Sequence, residues 1–356
     1  MTPYMWHIRG LQQQSSGIAA EALRLVTNGS TIYLPDTVTP FVGLGMNQGH
    51  GERCVEQDLI DLKAIGQTLG RVIARGEGGA NPWTGDIKDG AYELDGVTPA
   101  GPETGYWAEW YLSYLDTQIS WHVVRQMWAQ IAVDTNGGQK GSTSIFLPAN
   151  AAAREKHMIR VEYLTNRYKT WDYIASIEGI VEPQPDEDDG VYDDPFDAPA
   201  LIREFHLECA QRVHAIDPRL AYTYGPDTYE LNTPIDDYLI TEAEADGPMW
   251  WTGNVLDGKA NLPPATLGAR LDDFKARGVD NNQPVIIQQM GTRSTTDPTD
   301  ANLATLWSLV RARGIPSIEW EWVGQGSTEY SVWFGPSGGA RTLKPNRIAV
   351  VTAAWA

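Results

Sequence analysis

The sequence predicts a single α/β domain, a (β/α)8 barrel with long loops at the carboxyl-terminal face of its sheet. From about residue 39 onward, short β-rich runs alternate with amphipathic helical stretches, which is typical of βα units around a parallel sheet. Eight such runs follow one another, each with a helix or a plausible remnant of one behind it. A length of 356 residues also suits one barrel of this kind.

We expect residues 1–38 to form a cap or hairpin across the bottom of the barrel, and residues 39–356 to form the barrel. The seventh strand is the clearest, since its apolar run ends in a turn glycine, as a buried parallel strand does. The fifth unit is the weakest, because 228–233 is too short for a full crossover helix. The eight expected strands are 39–47, 68–76, 128–136, 174–183, 219–226, 236–245, 283–291 and 315–324.

The predicted helices between these strands carry an apolar face. Leu59, Leu62 and Ile65 share such a face in the first of them. Residues 301–314 follow an Asp-Pro-Thr-Asp start and end at glycine, as helix caps predict. The other predicted helices include 158–168, 200–216, 267–278 and a closing helix at 347–355.

Three long insertions follow the second, third and fourth strands, at 77–109, 137–150 and 184–199. They would project from the carboxyl-terminal face, where barrel enzymes build their active sites. Loops of this length in a compact domain are usually functional or disordered. Their tryptophans and tyrosines favour the interpretation that they form the walls of a cleft.

Composition excludes several classes of partner. The net charge of −19, without a Lys/Arg cluster, argues against nucleic acid and anionic membranes. No apolar run is long enough to span a membrane, and the N-terminus lacks the pattern of a signal peptide, although an extracellular or virion-borne protein could look the same. Cys54 and Cys209 do not make a disulfide framework, and we expect two free thiols.

Two strand ends carry the chemistry. The run Ile177-Glu-Gly-Ile-Val-Glu-Pro183 ends in a carboxylic acid, Glu182, and the run Pro284-Val-Ile-Ile-Gln-Gln-Met-Gly291 holds Gln289 in the corresponding place. Two carboxylates on two barrel strand ends would be the groups that cleave a glycosidic bond, about 5–5.5 Å apart in a retaining enzyme. Alternation would put Gln289 on one face with Val285 and Ile287, and Glu182 on one face with Ile180.

These segments resemble glycoside hydrolase family 5, the cellulase-type barrel enzymes within the larger clan of retaining (β/α)8 glycosidases. Gly66-Gln-Thr-Leu-Gly-Arg71 is similar to the family's second strand, and the resemblance implies that Arg71 hydrogen-bonds the nucleophile. It implies that Glu182 is the acid/base, and that Gln289 stands where the nucleophilic Glu belongs. Asn136 would correspond to the third-strand histidine, and Trp320 or Trp322 to the sugar platform of the eighth strand.

The sequence departs from the family pattern at several positions. Val181 stands where the clan usually has an Asn that binds the sugar 2-hydroxyl. The expected sixth strand lacks His-x-Tyr, and Glu242 or Glu244 falls near that place, so Glu244 becomes a candidate substrate contact. His50, in Gly-His-Gly just beyond the first strand, could also contact a sugar. The remaining histidines have no metal spacing and are expected to be surface or packing residues, and neither metal nor cofactor is expected.

Three explanations of Gln289 stay open. It could be an engineered Glu→Gln replacement, which removes nucleophilicity but keeps the shape of the side chain. It could belong to a natural pseudoenzyme that binds glycans without cutting them, such as an adhesin or a phage tail component. The nucleophile could also be displaced, to Glu244 or Glu321, or the register of the strand could differ. The resemblance favours a retaining glycoside hydrolase acting on a β-linked oligo- or polysaccharide, with a non-catalytic carbohydrate-binding protein as the alternative.

Overall fold

The computed structural model describes residues 21–50, 55–74, 109–133, 145–181, 183, 198–225, 238–256, 260–293, 296–320, 333–334 and 342–355. Eight parallel strands within these residues close into one barrel, and the predicted (β/α)8 fold is therefore confirmed. The strands are β1 (Val26–Asn28), β2 (Thr31–Tyr33), β3 (Leu44–His50), β4 (Leu69–Ile73), β5 (Trp128–Ala132), β6 (Ile174–Glu178), β7 (Ala221–Tyr224), β8 (Met249–Val255), β9 (Val285–Met290), β10 (Ser317–Glu319), β11 (Trp333–Phe334) and β12 (Thr342–Leu343).

The barrel consists of β3 to β10 in chain order, with β10 closing against β3. β1 and β2 form an antiparallel hairpin before it, and β11 and β12 form a second, short antiparallel pair. The described helices lie between and after the barrel strands. They are α1 (Glu56–Ala64), α2 (Glu109–Val124), α3 (Ala151–Tyr168), α4 (Ala198–Ile216), α5 (Glu242–Ala245), α6 (Pro264–Asp280), α7 (Ala301–Ala312) and α8 (Pro345–Trp355).

The predicted sixth strand is wrong. Residues 236–245 were expected to be a strand, but the sixth barrel strand is β8, and Thr241 instead caps the short helix α5. Thr241 and Glu244 form a capping box, in which the Thr241 side chain accepts from the Glu244 N–H and the Glu244 carboxylate accepts from the Thr241 N–H. This local motif satisfies the backbone of the segment as a helix start, so the apolar residues before it do not extend as a strand.

The lower part of the barrel interior is apolar. Seven barrel strands each contribute one side chain to a single buried cluster, and Leu25, Ile32 and Phe41 close it from below. Trp250 in this layer also donates its indole N–H to Thr27 Oγ1 of the hairpin at 2.9 Å. The strand residues in the cluster are Leu69, Trp128, Ala175, Ala221, Trp250, Ile286 and Ile318.

The main hydrophobic core lies on the other face of the sheet, between the strands and the helices. Val72, Ile131, Ile177, Tyr222 and Ile287 are among the strand residues that pack there. Because neighbouring residues of one strand point to opposite faces, this core fixes which side chains point into the barrel.

Two further expectations can be compared with the described part of the chain. Cys209 is a free, buried thiol, as predicted, whereas Cys54 lies outside the described residues. No helix among the described residues is long and apolar enough to cross a membrane. Most of the three expected insertions also lie outside those residues.

Candidate active site

A β-bulge in β9 sets the directions of its last side chains. Val285, Ile287 and Met290 all pack in the helix-facing core, although simple alternation would turn residue 290 to the other side. The pairing shows the cause: Ile287 and Gln289 of β9 oppose the consecutive residues Gly253 and Asn254 of β8. One extra residue is therefore inserted in β9, as in a bulge.

Because of the bulge, the predicted direction of the Gln289 side chain is wrong. Gln289 was predicted to share a face with Val285 and Ile287, but those two residues contact the helices. Gln288 continues the interior alternation from Ile286, and Gln289 follows it before Met290 returns to the helix-facing core. Ile180 likewise packs in the helix-facing core, so it does not mark the site face of its strand, and the Glu182 side chain lies outside the described residues.

A buried ion pair crosses the barrel interior. Arg71 of β4 donates from Nε and Nη2 to Glu178 Oε2 of β6, at 3.1 and 2.5 Å. The side chains are 0% and 1% exposed. Burial raises the pKa of the Glu178 carboxyl, and its contacts with Arg71 and with the Gln288 side chain oppose that shift. The guanidinium of Arg71 is thus enclosed and bound to Glu178, and its expected hydrogen bond to the group at the nucleophile position stays a prediction.

The layer that contains this ion pair is polar on most strands. Gln130, Thr223 and Gln288 lie at the same interior level of β5, β7 and β9, above the apolar lower cluster. Several of their atoms have no hydrogen-bond partner among the described residues, namely Gln130 Nε2 and Oε1, Thr223 Oγ1 and Gln288 Oε1. A barrel interior is usually filled by branched aliphatic side chains. A polar layer in this position indicates a role other than packing.

An apolar layer lies above the polar one. Trp320, which follows β10, packs against Ile73, Ala132 and Val181 from the second, third and fourth barrel strands. Its backbone N–H donates to Met290 O at 2.7 Å, which joins the ends of β9 and β10. Trp320 is partly exposed. Its ring therefore lies at the carboxyl-terminal end of the barrel, on the residues that follow the polar layer, and retains an accessible surface.

The backbone just before Glu182 is held from two sides. The Gly179 N–H donates to the Tyr222 hydroxyl at 3.2 Å, and the Gly179 carbonyl accepts from His157 Nε2 at 2.9 Å. A Cβ at residue 179 would lie 2.4 Å from the Tyr222 hydroxyl oxygen, so only glycine fits there. Burial lowers the pKa of His157 to about 3, and the imidazole therefore remains a neutral donor at ordinary pH.

Four predicted site residues cannot be compared directly with their expected roles. Glu182, Asn136 and Trp322 lie outside the described residues. His50 is the last residue of β3 and pairs with Ile73 in register, which puts its backbone at the carboxyl-terminal end of the barrel. The described histidines His122, His157, His206 and His214 are buried packing residues, as expected.

Glu244 does not belong to the site. It lies on α5, which leads into the amino-terminal end of β8, at the opposite end of the barrel from Gln289. Its carboxylate pairs with Arg203 Nη2 at 2.5 Å and caps its own helix. The predicted roles of Glu244 as a sugar contact or as a displaced nucleophile are therefore wrong. The Thr-Glu-Ala-Glu sequence is a capping-box motif that could have revealed this.

Sequence reasoning missed Glu178 and Gln288. Glu178 is a carboxylic acid within the apolar run of the fourth strand, and such a residue is costly to bury unless it is paired or functional. That signal was present in the sequence, as it was for Glu182. Gln288 had no comparable signal, because a glutamine in this strand does not show that its side chain contacts Glu178 across the barrel.

The arrangement limits the chemistry of the described residues. Glu178 is committed to Arg71, and Gln289 carries an amide, which is a poor nucleophile. Gln289 is nearly fully buried at the end of its strand. No group of three or more acidic, histidine or cysteine side chains that could hold a metal ion occurs in the described part of the chain.

No protein-family model matches this sequence, and no curated protein matches it. Solved structures do match its fold. A GH5-4 broad-specificity endoglucanase from Clostridium longisporum has a TM-score of 0.66 at 11% identity, over 88% of this chain and 96% of that chain. A GH5-4 broad-specificity endoglucanase from Clostridium acetobutylicum has a TM-score of 0.62 at 14% identity, over 87% and 97% of the two chains.

An endocellulase from Pyrococcus horikoshii, solved in complex with cellotetraose, has a TM-score of 0.64 at 12% identity, over 95% of this chain and 100% of that chain. At identities this low, the similarity establishes a shared fold. The chain therefore has the (β/α)8 barrel fold that these endoglucanases also have.

Proposed function

We propose that this protein binds a β-linked oligo- or polysaccharide at the carboxyl-terminal end of its barrel, in a site of the retaining glycoside hydrolase type whose nucleophile position holds Gln289. The observation that carries the proposal is the position of Gln289, buried at the end of β9 directly after the side chain that contacts Glu178. The fold neighbours support the substrate class, because one of them was solved with cellotetraose.

In the retaining mechanism, Glu182 would protonate the leaving oxygen and then act as the base toward water. The group at position 289 would attack the anomeric carbon and form a glycosyl-enzyme intermediate. An amide at position 289 has the shape of a carboxylate but neither its charge nor its nucleophilicity. The chain with Gln289 should therefore bind its saccharide without cutting it.

Trp320 supports a saccharide ligand independently of position 289. Its indole packs on Ile73, Ala132 and Val181 and keeps an accessible surface at the end of the barrel. A rigid aromatic ring in this position suits stacking against the apolar face of a sugar, and its orientation is fixed before the ligand arrives.

The proposal is tested by release of reducing ends from a panel of β-glucan, xylan, mannan and mixed-linkage polysaccharides. The native chain, Gln289→Glu and Gln289→Glu/Glu182→Gln are compared on the same panel. We expect hydrolysis to appear in Gln289→Glu and to fall at least 100-fold when Glu182 is also replaced. Gln288→Glu adds the same charge one residue earlier, against Glu178, and should stay inactive even where its thermal unfolding shows that it folds.

Activity of the native chain equal to that of Gln289→Glu would contradict this assignment, because another carboxylate would then be the nucleophile. Activity that persists without the Glu182 carboxyl would remove Glu182 from the mechanism.

A second candidate function, saccharide binding without catalysis in the natural protein, is favoured by one observation. Arg71 already has a carboxylate partner in Glu178, so the described interior is charge-balanced with a neutral side chain at position 289. Under this alternative, Gln289→Glu binds the same saccharide as the native chain but releases no reducing ends.

A further inference from the structure

Glu178 contacts two strands that are not its neighbours in the barrel. Arg71 on β4 gives its carboxylate two hydrogen bonds, and the Gln288 side chain on β9 gives another. The neighbours of β6 in the sheet are β5 and β7, so these contacts cross the barrel interior. Glu178 therefore links the end of β9 to the opposite wall.

Arg71 depends on this contact for its counter-charge. Arg71 is fully buried, and Nη1 has no hydrogen-bond partner among the described residues. A buried guanidinium without a counter-charge is strongly destabilising, whereas a paired one is tolerated. Glu178 is the acidic side chain that the described structure places in contact with Arg71.

We propose that Glu178 is a positioning residue for the end of β9: it holds Gln288 from across the barrel and neutralises Arg71, so that residue 289 is accommodated as a neutral side chain. A carboxylate at position 289 would then be a third charge beside a pair that is already balanced. It would be ionised only at a cost, because burial and the Glu178 carboxylate both favour its protonated form.

The charged and titratable groups that face Glu178 among the described residues are Arg71 and Tyr222. Tyr222, on the neighbouring strand β7, has its pKa raised well above its usual value, chiefly by burial, and Glu178 adds to that shift. Tyr222 is therefore neutral at ordinary pH. Within this set, the charge balance around Glu178 consequently depends on Arg71 and Glu178.

The test is a thermal-unfolding cycle of four proteins: the native chain, Glu178→Gln, Gln289→Glu, and the double variant that moves the carboxylate from 178 to 289. At pH 8 we expect each single variant to melt roughly 5–10 °C below the native chain. We expect the double variant to recover at least half of the loss seen in Glu178→Gln, because Arg71 again has one carboxylate partner. If the fall in melting point of the double variant equals the sum of the falls in the two single variants, the proposal is overturned.

The pH dependence provides a second measurement that does not require Glu178→Gln to fold. A carboxyl whose folded pKa is raised binds more protons in the folded state, so stability is lost as pH rises toward that pKa. The melting point of Gln289→Glu should therefore approach that of the native chain as the pH is lowered from 8 to 5. A gap that stays constant with pH, or a Gln289→Glu variant as stable as the native chain at pH 8, would overturn the proposal.

This inference rests on the proposed function only because that function makes position 289 the nucleophile position. Its test uses no saccharide, so the charge arrangement and the saccharide site can each fail while the other stands.

Discussion

Two buried clusters of charge lie on opposite faces of the same barrel sheet, and they differ in how a carboxylate is neutralised. Inside the barrel, Glu178 lies in direct contact with the guanidinium of Arg71. Outside it, Glu319 of β10 accepts a hydrogen bond from the Trp307 indole N–H at 2.7 Å, in the core beneath α7 and α8.

The outer cluster also contains an arginine, but that arginine is directed to other groups. Arg347 donates from Nε to Asp300 Oδ1 at 2.9 Å and from Nη2 to the Thr292 carbonyl at 2.6 Å. Burial raises the pKa of Glu319 to about 7; Arg347, the Trp307 N–H and Lys344 reduce that shift only in part, and Asp300 adds to it. Glu319 and Asp300 therefore both lie near Arg347 in the outer cluster, whereas Glu178 has the guanidinium of Arg71 to itself among the described residues.

This difference indicates that the charges around a buried carboxylate, and not its burial alone, decide whether its ionised form raises or lowers the free energy of unfolding. Removing the charge of Glu178 leaves Arg71 without a counter-charge among the described residues. Removing the charge of Glu319 relieves an ionisation that burial opposes. The same Glu→Gln substitution should therefore lower the free energy of unfolding at position 178 and raise it at position 319.

The largest effect is expected for Glu178→Gln. Loss of the counter-charge of a fully buried arginine should lower the free energy of unfolding by about 3–5 kcal/mol at pH 7, measured by urea denaturation. Asp272→Asn is the matched surface control, because the exposed Asp272 pairs with Arg313 and its loss should leave stability unchanged within error. A Glu178→Gln protein as stable as the native chain would show that the pair does not stabilise the interior.

Glu319→Gln should have a smaller effect and the opposite sign. The folded pKa of about 7 lies above the usual value of 4.5, so the native chain loses stability as pH rises from about 4.5 through 7. Gln cannot ionise and still offers an oxygen to Trp307. We expect Glu319→Gln to be more stable than the native chain by about 2–3 kcal/mol at pH 8 and nearly equal to it at pH 5.

Urea denaturation at the two pH values checks this prediction. Equal differences at pH 5 and pH 8 would contradict the raised pKa of Glu319, and a loss of stability at pH 8 would mean that its charge is needed in the outer cluster.

The barrel could be predicted from the sequence because its strands are short apolar runs and its helices have apolar faces. The one wrong strand, 236–245, failed because a capping box at Thr241 outweighed the apolar residues before it. The strand that replaced it, Met249–Val255, contains two tryptophans, Thr252 and Asn254, so its pattern is less clearly that of a buried parallel strand.

The site was predictable only in part. The position of Gln289 at the end of the seventh strand follows from its apolar run, but its direction depends on a bulge that is set by pairing with β8 and β10. The spacing of residues in the sequence also could not identify the partner of Arg71. Arg71 and Glu178 are 107 positions apart, and either Glu178 or a group at position 289 could have met the same guanidinium.

Saccharide binding by the native chain tests the central claim most directly. Isothermal titration calorimetry would compare the native chain with Trp320→Ala and Trp320→Phe. The ligands are cellotetraose and the tetrasaccharide fragments of xylan, mannan and laminarin. We expect saturable binding of at least one of these sugars, weakened about tenfold by Trp320→Ala and largely kept by Trp320→Phe. Absence of binding to every β-linked sugar, or binding that Trp320→Ala leaves unchanged in a folded protein, would contradict a saccharide site at this end of the barrel.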